Sequence, residues 1–300
     1  MATEVYRTQV ALLLNVLPEV AKEEIFALHG GTAINLFVRN MPRLSVDIDL
    51  TYLLIKDRKD SLQNISDGLS RISESILTVL PKAKISLIEE TSKLLIAHQG
   101  AQIKLEVNQT NRGALYGPQI LPLCEKAQEE FEAFCEVPVI GIGQLYGGKI
   151  CAALDRQHPR DLFDVKYFLE NTEFTYEHRE GLLLAILSSN RPLEELLYPN
   201  YLDQRATLVN QFEGMTNESF DYNDFEKSRE KLIETIHGSL TDDDKAFLIS
   251  IQNLQPDWSI YDFERFPSVQ WKLQNLERLK ETNADKYKGQ LDGLIEKLTS

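Results

Sequence analysis

The chain is poor in sulfur and in tryptophan: three cysteines, three methionines and two tryptophans among 300 residues. Cys124, Cys135 and Cys151 are odd in number and form no C-x-x-C pair, which excludes a disulfide framework and a zinc-ribbon site. Three reduced, structural thiols fit a cytoplasmic protein. Long apolar runs are also missing. The best early one, Val10 to Leu17, is broken by Asn15 and preceded by Glu4 and Arg7. It is too short to span a bilayer and lacks the layout of a secretion leader, so no membrane role is expected. Positive charge is in deficit, with 32 Lys and Arg against 46 Asp and Glu and a formal net charge of −14. That balance excludes broad, non-specific nucleic-acid binding, which rests on neutralising phosphates. A local basic cleft remains open, and Lys82, Lys84, Lys93, Lys104 and Arg112 are candidates for one. No repeat of fixed period is present. What is there suffices for a core: 43% of residues are hydrophobic and 26% charged, the composition of a globular chain of one large domain or two.

The most informative stretch runs from Gly30 to Tyr52. A short apolar strand, Ile25 to Leu28, leads into Gly30-Gly31, then a helix-like segment from Thr32 to Val38, then Ser45 to Tyr52. The last piece alternates strictly, as a half-buried strand does. Val46, Ile48 and Leu50 share one face; Ser45, Asp47, Asp49 and Thr51 share the other. Asp47 and Asp49 then stand roughly 7 Å apart between Cα atoms, close enough for their carboxylates to meet one hard cation. Mg²⁺ suits such a site, because it takes one or two carboxylates and fills its remaining positions with water and substrate phosphate. Glycines let backbone approach a phosphate, and a helix starting there aims N–H groups at it. The Thr32 hydroxyl adds a further donor. An isolated D-x-D is most simply the polar face of an edge strand; the ordered set of strand, Gly-Gly, helix and D-x-D strand points to nucleotide chemistry.

Around this stretch the first half alternates helices and strands. Val5 to Ile25 reads as an amphipathic helix with a break at Pro18, and Ser61 to Leu80 as another. Strands follow at Lys84–Ile88, Lys93–His98 and Gln102–Gln109, with a turn at His98-Gln99-Gly100. On the last of them Lys104, Glu106 and Asn108 share the polar side. If that strand pairs beside the D-x-D strand, Glu106 joins Asp47 and Asp49, and three carboxylates with one or two divalent ions form a site for displacement at phosphorus. After Pro138 and the Gly141–Gly143 punctuation, Gln144 to Leu154 reads as a helix with Lys149, Ala152, Ala153 and Arg156 on one face. Pro159 opens a further helix carrying Asp161 and Asp164. Arg160 is placed to pair with Asp164, Lys149 to meet a triphosphate as a point charge, and Asp161 to orient a base or that lysine.

The ordered segments GGTAINLFVRN, RLSVDIDLTY, IKLEVNQ and GGKICAALDRQHPRDLFDVKYFL, spread over residues 10 to 170, resemble the AbiEii/AbiGii toxin family, a branch of the DNA polymerase β-like nucleotidyltransferases. The resemblance agrees with the mixed α/β (α+β) reading of the first half, a nucleotidyltransferase-like catalytic domain over residues 1–172, and the helical patterns beyond it are read as a C-terminal helical domain over residues 173–300. It implies the toxin of an abortive-infection toxin–antitoxin pair, with a cognate antitoxin as partner, moving a nucleotide from an NTP to an acceptor such as tRNA with Mg²⁺, or Mn²⁺ in its place. Carried over residue by residue, Gly30 and Gly31 form the triphosphate turn with Thr32 and Ser45 beside it; Asp47, Asp49 and Glu106 hold metal; Lys149 contacts phosphate; and Asp161 is the acid of the last motif. The sequence departs from the family pattern at three points. The third carboxylate is Glu106 where Asp is common, the gap between Gly-Gly and D-x-D is long, and Thr32 replaces a frequent Ser. A side chain longer by one methylene shifts the oxygen enough to matter where geometry controls rate. Two rival readings follow: a weakened nucleotide- or antitoxin-binding module of the same fold, and a metal-dependent phosphodiesterase.

Beyond Asn171 only helical patterns continue: 179–188, 201–212, 224–237, 242–254 and 268–298. Thr241 with Asp244 reads as a helix cap. Trp258, Tyr261, Phe263, Phe266 and Trp271 read as helix-packing core in preference to base-stacking rings.

Overall fold

The computed structural model describes residues 4–299. In chain order the elements are α1 (Glu4–Val20), β1 (Phe26–His29), a one-turn α2 (Gly30–Thr32) that widens into a π-helix (Ala33–Val38), β2 (Asp47–Tyr52), α3 (Arg58–Val79), β3 (Lys84–Ile88), β4 (Lys93–His98), β5 (Ala101–Asn108), β6 (Gln119–Pro122), α4 (Glu125–Phe131) and β7 (Glu136–Val139). Helices make up the rest: α5 (Ile142–Arg156), α6 (Pro159–Asn171), α7 (Tyr176–Ser188), α8 (Leu193–Leu197), α9 (Arg205–Gln211), α10 (Tyr222–Ser239), α11 (Asp242–Gln252), α12 (Pro267–Thr282) and α13 (Ala284–Thr299). The architecture is the expected mixed α+β one. Among the described residues no helix is long and apolar enough to cross a membrane.

The chain forms two compact units: residues 1–141 with 207–220, and residues 142–206 with 221–300. The first holds a seven-stranded sheet in the order β3-β4-β5-β2-β1-β7-β6. β2 runs parallel to β5 and β1 to β7; the remaining pairs are antiparallel. Strand alternation sorts the two sides as the pattern requires. Ile48, Leu50, Leu94, Ile96, Ile103, Leu105 and Val107 are buried, and α1 and α3 pack on the strands that carry them. The interior stripe of α3, Ile65, Leu69, Ile72 and Ile76, is wholly buried, each such side chain contributing about 1.5–3 kcal/mol. The other side carries Lys93, Lys104, Glu106, Asp47 and Asp49. The β4–β5 hairpin turns through Gln99 and Gly100, both at positive φ, where the sequence places a turn.

The remaining piece of this unit arrives late in the sequence. Thr216 forms a β-bridge with Arg43, the Leu44 N–H donates to the Met215 carbonyl at 2.7 Å, and the Thr216 hydroxyl donates to the Pro42 carbonyl at 2.9 Å. Residues 207–220 thus strap the segment that leads into β2.

Several boundaries differ from the sequence reading. Pro18 does not break α1; it lies inside the last turn, where the hydrogen bond it forfeits is near the helix end, and the helix stops at Val20. The 268–298 pattern divides into α12 and α13 at Asn283. β6, α4, β7 and α8 were not anticipated: they are four to seven residues long, too short for a periodic signal. Cys135 and Cys151 are buried and free, their thiols pushed up to about 11 and about 12 by burial, which leaves them inert.

In the second unit α5 and α7 cross with their backbones in contact. A Cβ on Gly147 would lie 2.1 Å from the Gly181 carbonyl carbon, and one on Gly181 would lie 2.1 Å from the Gly143 carbonyl oxygen. Backbone on both sides cannot yield to such a group. Gly181→Ala is expected to force the helices apart at a cost of about 3 kcal/mol, measured as a lowered urea midpoint with unchanged slope. Farther along, Thr241 and Asp244 form the expected capping box. Trp258, Tyr261 and Phe263 pack around Phe247 with Phe266 against Phe263, whereas Trp271 lies outside that cluster and is half exposed.

Candidate active site

The polar face of the sheet is assembled by register. Asp49 is partnered by His29 on β1 and by Glu106 on β5, and Asp47 by Lys104 on β5. Adjacent strands lie about 4.8 Å apart, so the two aspartates and Glu106 are neighbours on one side, as the alternation predicts. The His29 Nδ1 lies 3.1 Å from the Thr51 Oγ1, which anchors the imidazole at the end of β1.

Gly30 follows immediately, with φ at +72°, in the left-handed region. A side chain there would put Cβ 2.6 Å from the Asp49 Oδ2. The bend is therefore glycine for two reasons, backbone conformation and the carboxylate lying against it. Gly30→Ala is expected to cost about 1–2 kcal/mol through the left-handed strain alone, and to displace Asp49 besides. Thermal unfolding reads the first effect. A loss of divalent-cation affinity larger than the stability loss accounts for reads the second.

Behind the bend a buried polar cluster fixes its geometry. The Thr32 hydroxyl donates to the Asp47 carbonyl and lies 3.0 Å from the Ser45 Oγ. The Asn35 side-chain amide donates to the Gly31 carbonyl at 2.9 Å. Thr32 and Ser45, expected beside nucleotide, are buried here and tie α2 to the start of β2. Arg43 completes the cluster: it is 3% exposed, its Nη1 donates to the Leu44 carbonyl at 2.9 Å, and a Cβ on Gly31 would lie 2.7 Å from its Nη2. The sequence reading missed this arginine. The signal was available, because Arg43, Ser45, Asp47 and Asp49 share one period-two parity.

Glu106 is committed to cations of the chain itself. Its Oε1 lies 3.3 Å from the Lys93 Nζ and its Oε2 lies 3.0 Å from the Lys104 Nζ. Burial would raise its carboxyl pKa, but Lys104 and Lys93 outweigh burial and hold it below the usual carboxylate range. Burial likewise works against the Lys104 charge. The hydrogen bond to Glu106 and the fields of Asp47, Glu106 and Asp49 prevail and raise the lysine above its ordinary value. Two half-buried aspartates on one strand face beside a glycine bend suit a hard cation. Among the described residues, however, no group of three or more His, Cys, Asp or Glu is arranged to hold a metal ion.

The five basic residues considered as a nucleic-acid path do not act together. Lys93 and Lys104 are paired with Glu106, and Arg112 is buried with its Nη1 toward the Lys56 and Asp57 carbonyls. Lys82 and Lys84 are exposed.

The second unit carries its own cluster. The Lys149 Nζ, 7% exposed with its side chain, lies 3.0 Å from the Asp161 Oδ1 and 3.0 Å from the Asp164 Oδ2. The Arg156 Nε adds a contact of 2.6 Å to the Asp161 Oδ2. Burial alone would raise the Asp161 carboxyl; the field of Lys149 and the hydrogen bond from Arg156 reverse it and hold the group well below the usual range. α6 begins at Pro159, with the His158 ring accepting from the Arg160 N–H, and Asp161 sits in its first turn.

The diglycine bend, the D-x-D strand and the lysine–aspartate cluster lie in order within a match to the family model described as nucleotidyl transferase AbiEii toxin of type IV toxin–antitoxin systems, over residues 11–275. The chain belongs to the AbiEii nucleotidyltransferase toxin family. It is accordingly a nucleotidyltransferase, an activity that uses an NTP and a divalent metal, and a type IV toxin whose system includes an antitoxin. MenT4, a nucleotidyltransferase toxin of Mycobacterium tuberculosis H37Rv, shares the fold of this AbiEii member: TM-score 0.62 at 14% identity, covering 90% of this chain and 92% of MenT4. A presumed nucleotidyltransferase from H. pylori superimposes with TM-score 0.46 at 17% identity, over 79% of this chain and 97% of its own. Terminal uridylyl transferase 4 from Trypanosoma brucei, with bound UTP, gives 0.30 at 11% identity, over 96% and 92%. Similarities as low as these last two do not fix an architecture. No curated protein matches the sequence.

Proposed function

We propose that this toxin transfers a nucleotide from an NTP to an RNA acceptor of the tRNA class, using Mg²⁺ held by Asp47 and Asp49, with Mn²⁺ as a substitute. The observation that carries the reading is the strand register that sets Asp49 beside Glu106 and Asp47 beside Lys104, with Asp49 against the Gly30 bend. A bound divalent ion supplies Lewis-acid stabilisation of phosphoryl oxygens. The chain's own part is positional. Gly30 and Gly31 leave room for a triphosphate to approach backbone, and Thr32, Ser45 and Arg43 keep that backbone rigid. Lys149 is assigned to nucleotide phosphate, with Asp161 orienting it through their ion pair. The catalytic roles thus fall within residues 1–172.

The test mixes protein, Mg²⁺, labelled NTPs and total tRNA, and sequences RNA 3′ ends. Label is expected in tRNA with the native chain and not with Asp47→Ala. Equal labelling by both would refute the assignment, and NTP hydrolysis without transfer would favour a phosphodiesterase.

A further inference from the structure

We propose that Lys104 is a built-in counter-ion standing where a second divalent cation would otherwise sit, so that the centre takes one divalent ion per chain. The inference rests on the metal assignment of Asp47 and Asp49 above and deepens it. Three acidic side chains share this sheet face, the arrangement expected to call for two ions. The third is already neutralised. Glu106 receives one lysine on each oxygen, at 3.3 Å from Lys93 and 3.0 Å from Lys104. The register places Lys104 directly beside Asp47, and Glu106 directly beside both Asp49 and Lys93.

Lys104 thus bridges the metal-side aspartate and the occupied glutamate. The three carboxylates and two ammonium groups sum to −1, so one divalent ion at Asp47 and Asp49 leaves a single positive charge, whereas a second would leave a large positive excess. A second beside Glu106 would face two ammonium groups at contact range, where like charges repel strongly in a partly desolvated site. The longer reach of Glu106 has a role on this reading. It carries the carboxylate out to the lysines of its own strand and of β4, a position from which an aspartate would fall short by a methylene. Lys104 is half-buried on the strand, and the flexible stem of a lysine lets its compact charge follow the changing phosphate load.

Mn²⁺ binding decides the question, read by the EPR signal of free Mn²⁺ during titration of the full chain, alone and with an α,β-methylene NTP analogue. One ion per chain is expected in the native protein beyond those the analogue binds by itself. Lys104→Met is expected to admit a second ion or to tighten the first by roughly tenfold, since loss of a unit charge at this range is worth at least 1.4 kcal/mol. Lys104→Gln, which keeps a polar head, is a second variant should the first fold poorly, with circular dichroism as the check. Two ions in the native chain, or unchanged stoichiometry and affinity in both variants, would overturn the proposal. A native chain whose Mn²⁺ binding is indifferent to Asp49→Ala would instead remove the metal assignment, and the counter-ion with it.

Discussion

Asp49→Ala is expected to lower nucleotidyl transfer by roughly a thousandfold or more while leaving the fold intact. A metal ion contributes several kcal/mol of charge stabilisation in such reactions, and each 1.36 kcal/mol is a factor of ten in rate. Asp49 is half-buried on the polar face of the central strand β2, so its removal creates no cavity in the core formed by Ile48 and Leu50. The rate should be measured under single-turnover conditions with saturating NTP, beside a thermal melt. A rate within tenfold of the native value, with a normal melt, would show that Asp49 does not carry the ion. Asp49→Glu is the informative companion: its longer arm would press on the Gly30 bend, where a Cβ already has no room.

Lys149→Met is expected to destabilise the second unit by about 3–5 kcal/mol, the cost of leaving a buried carboxylate without its partner. Its ammonium holds two aspartates that are almost fully inaccessible, Asp161 and Asp164. Stability and catalysis are separable here. K149M/D164L replaces one of the two ion pairs with apolar groups and should recover part of the lost stability, yet it should not recover transfer if Lys149 serves phosphate. Chemical denaturation gives the first quantity and single-turnover transfer the second. Recovery of both would make Lys149 purely structural. The same cluster sets an acid limit. The Asp161 carboxyl is depressed in the folded chain, so its ion pairs stabilise fully above the unfolded value of about 3.9 and are lost as pH falls through the lower folded value. From pH 7 to 5 this group should contribute no slope to stability, and below about pH 4 a steep decline.

Much of the site could be read from the chain because its signals are local and periodic. Ser45 to Tyr52 alternates, β5 alternates, and two such strands side by side must bring Asp49 and Glu106 onto one face. The Gly-Gly bend advertised a constraint, and a positive φ against Asp49 is that constraint. Non-local commitments could not be read. That Lys93 arrives across a hairpin to share Glu106 depends on the β4–β5 register. That Lys149 is occupied by Asp161 and Asp164 depends on how α5 packs against α6. Arg43 was legible by parity, since the alternation of Leu44, Val46, Ile48 and Leu50 extends back to it, but its burial depends on packing against the Gly31 turn. The short β6 and β7 are too brief to show a period, and β7 is fixed by pairing with β1 through Leu28 and Val139 and by burial of Val137 and Val139.

The strap formed by residues 207–220 reaches back to Pro42–Leu44, just upstream of the D-x-D strand. A fragment ending at residue 172 should accordingly be cut by protease near residue 43 far faster than the full chain. On the ribosome the same dependence sets a schedule. The nascent polypeptide carries its diglycine bend and both aspartates early, but the clamp that steadies them, at Met215 and Thr216, is made long after them. A product terminated before that point leaves the exit tunnel with the entry to its D-x-D strand unclamped.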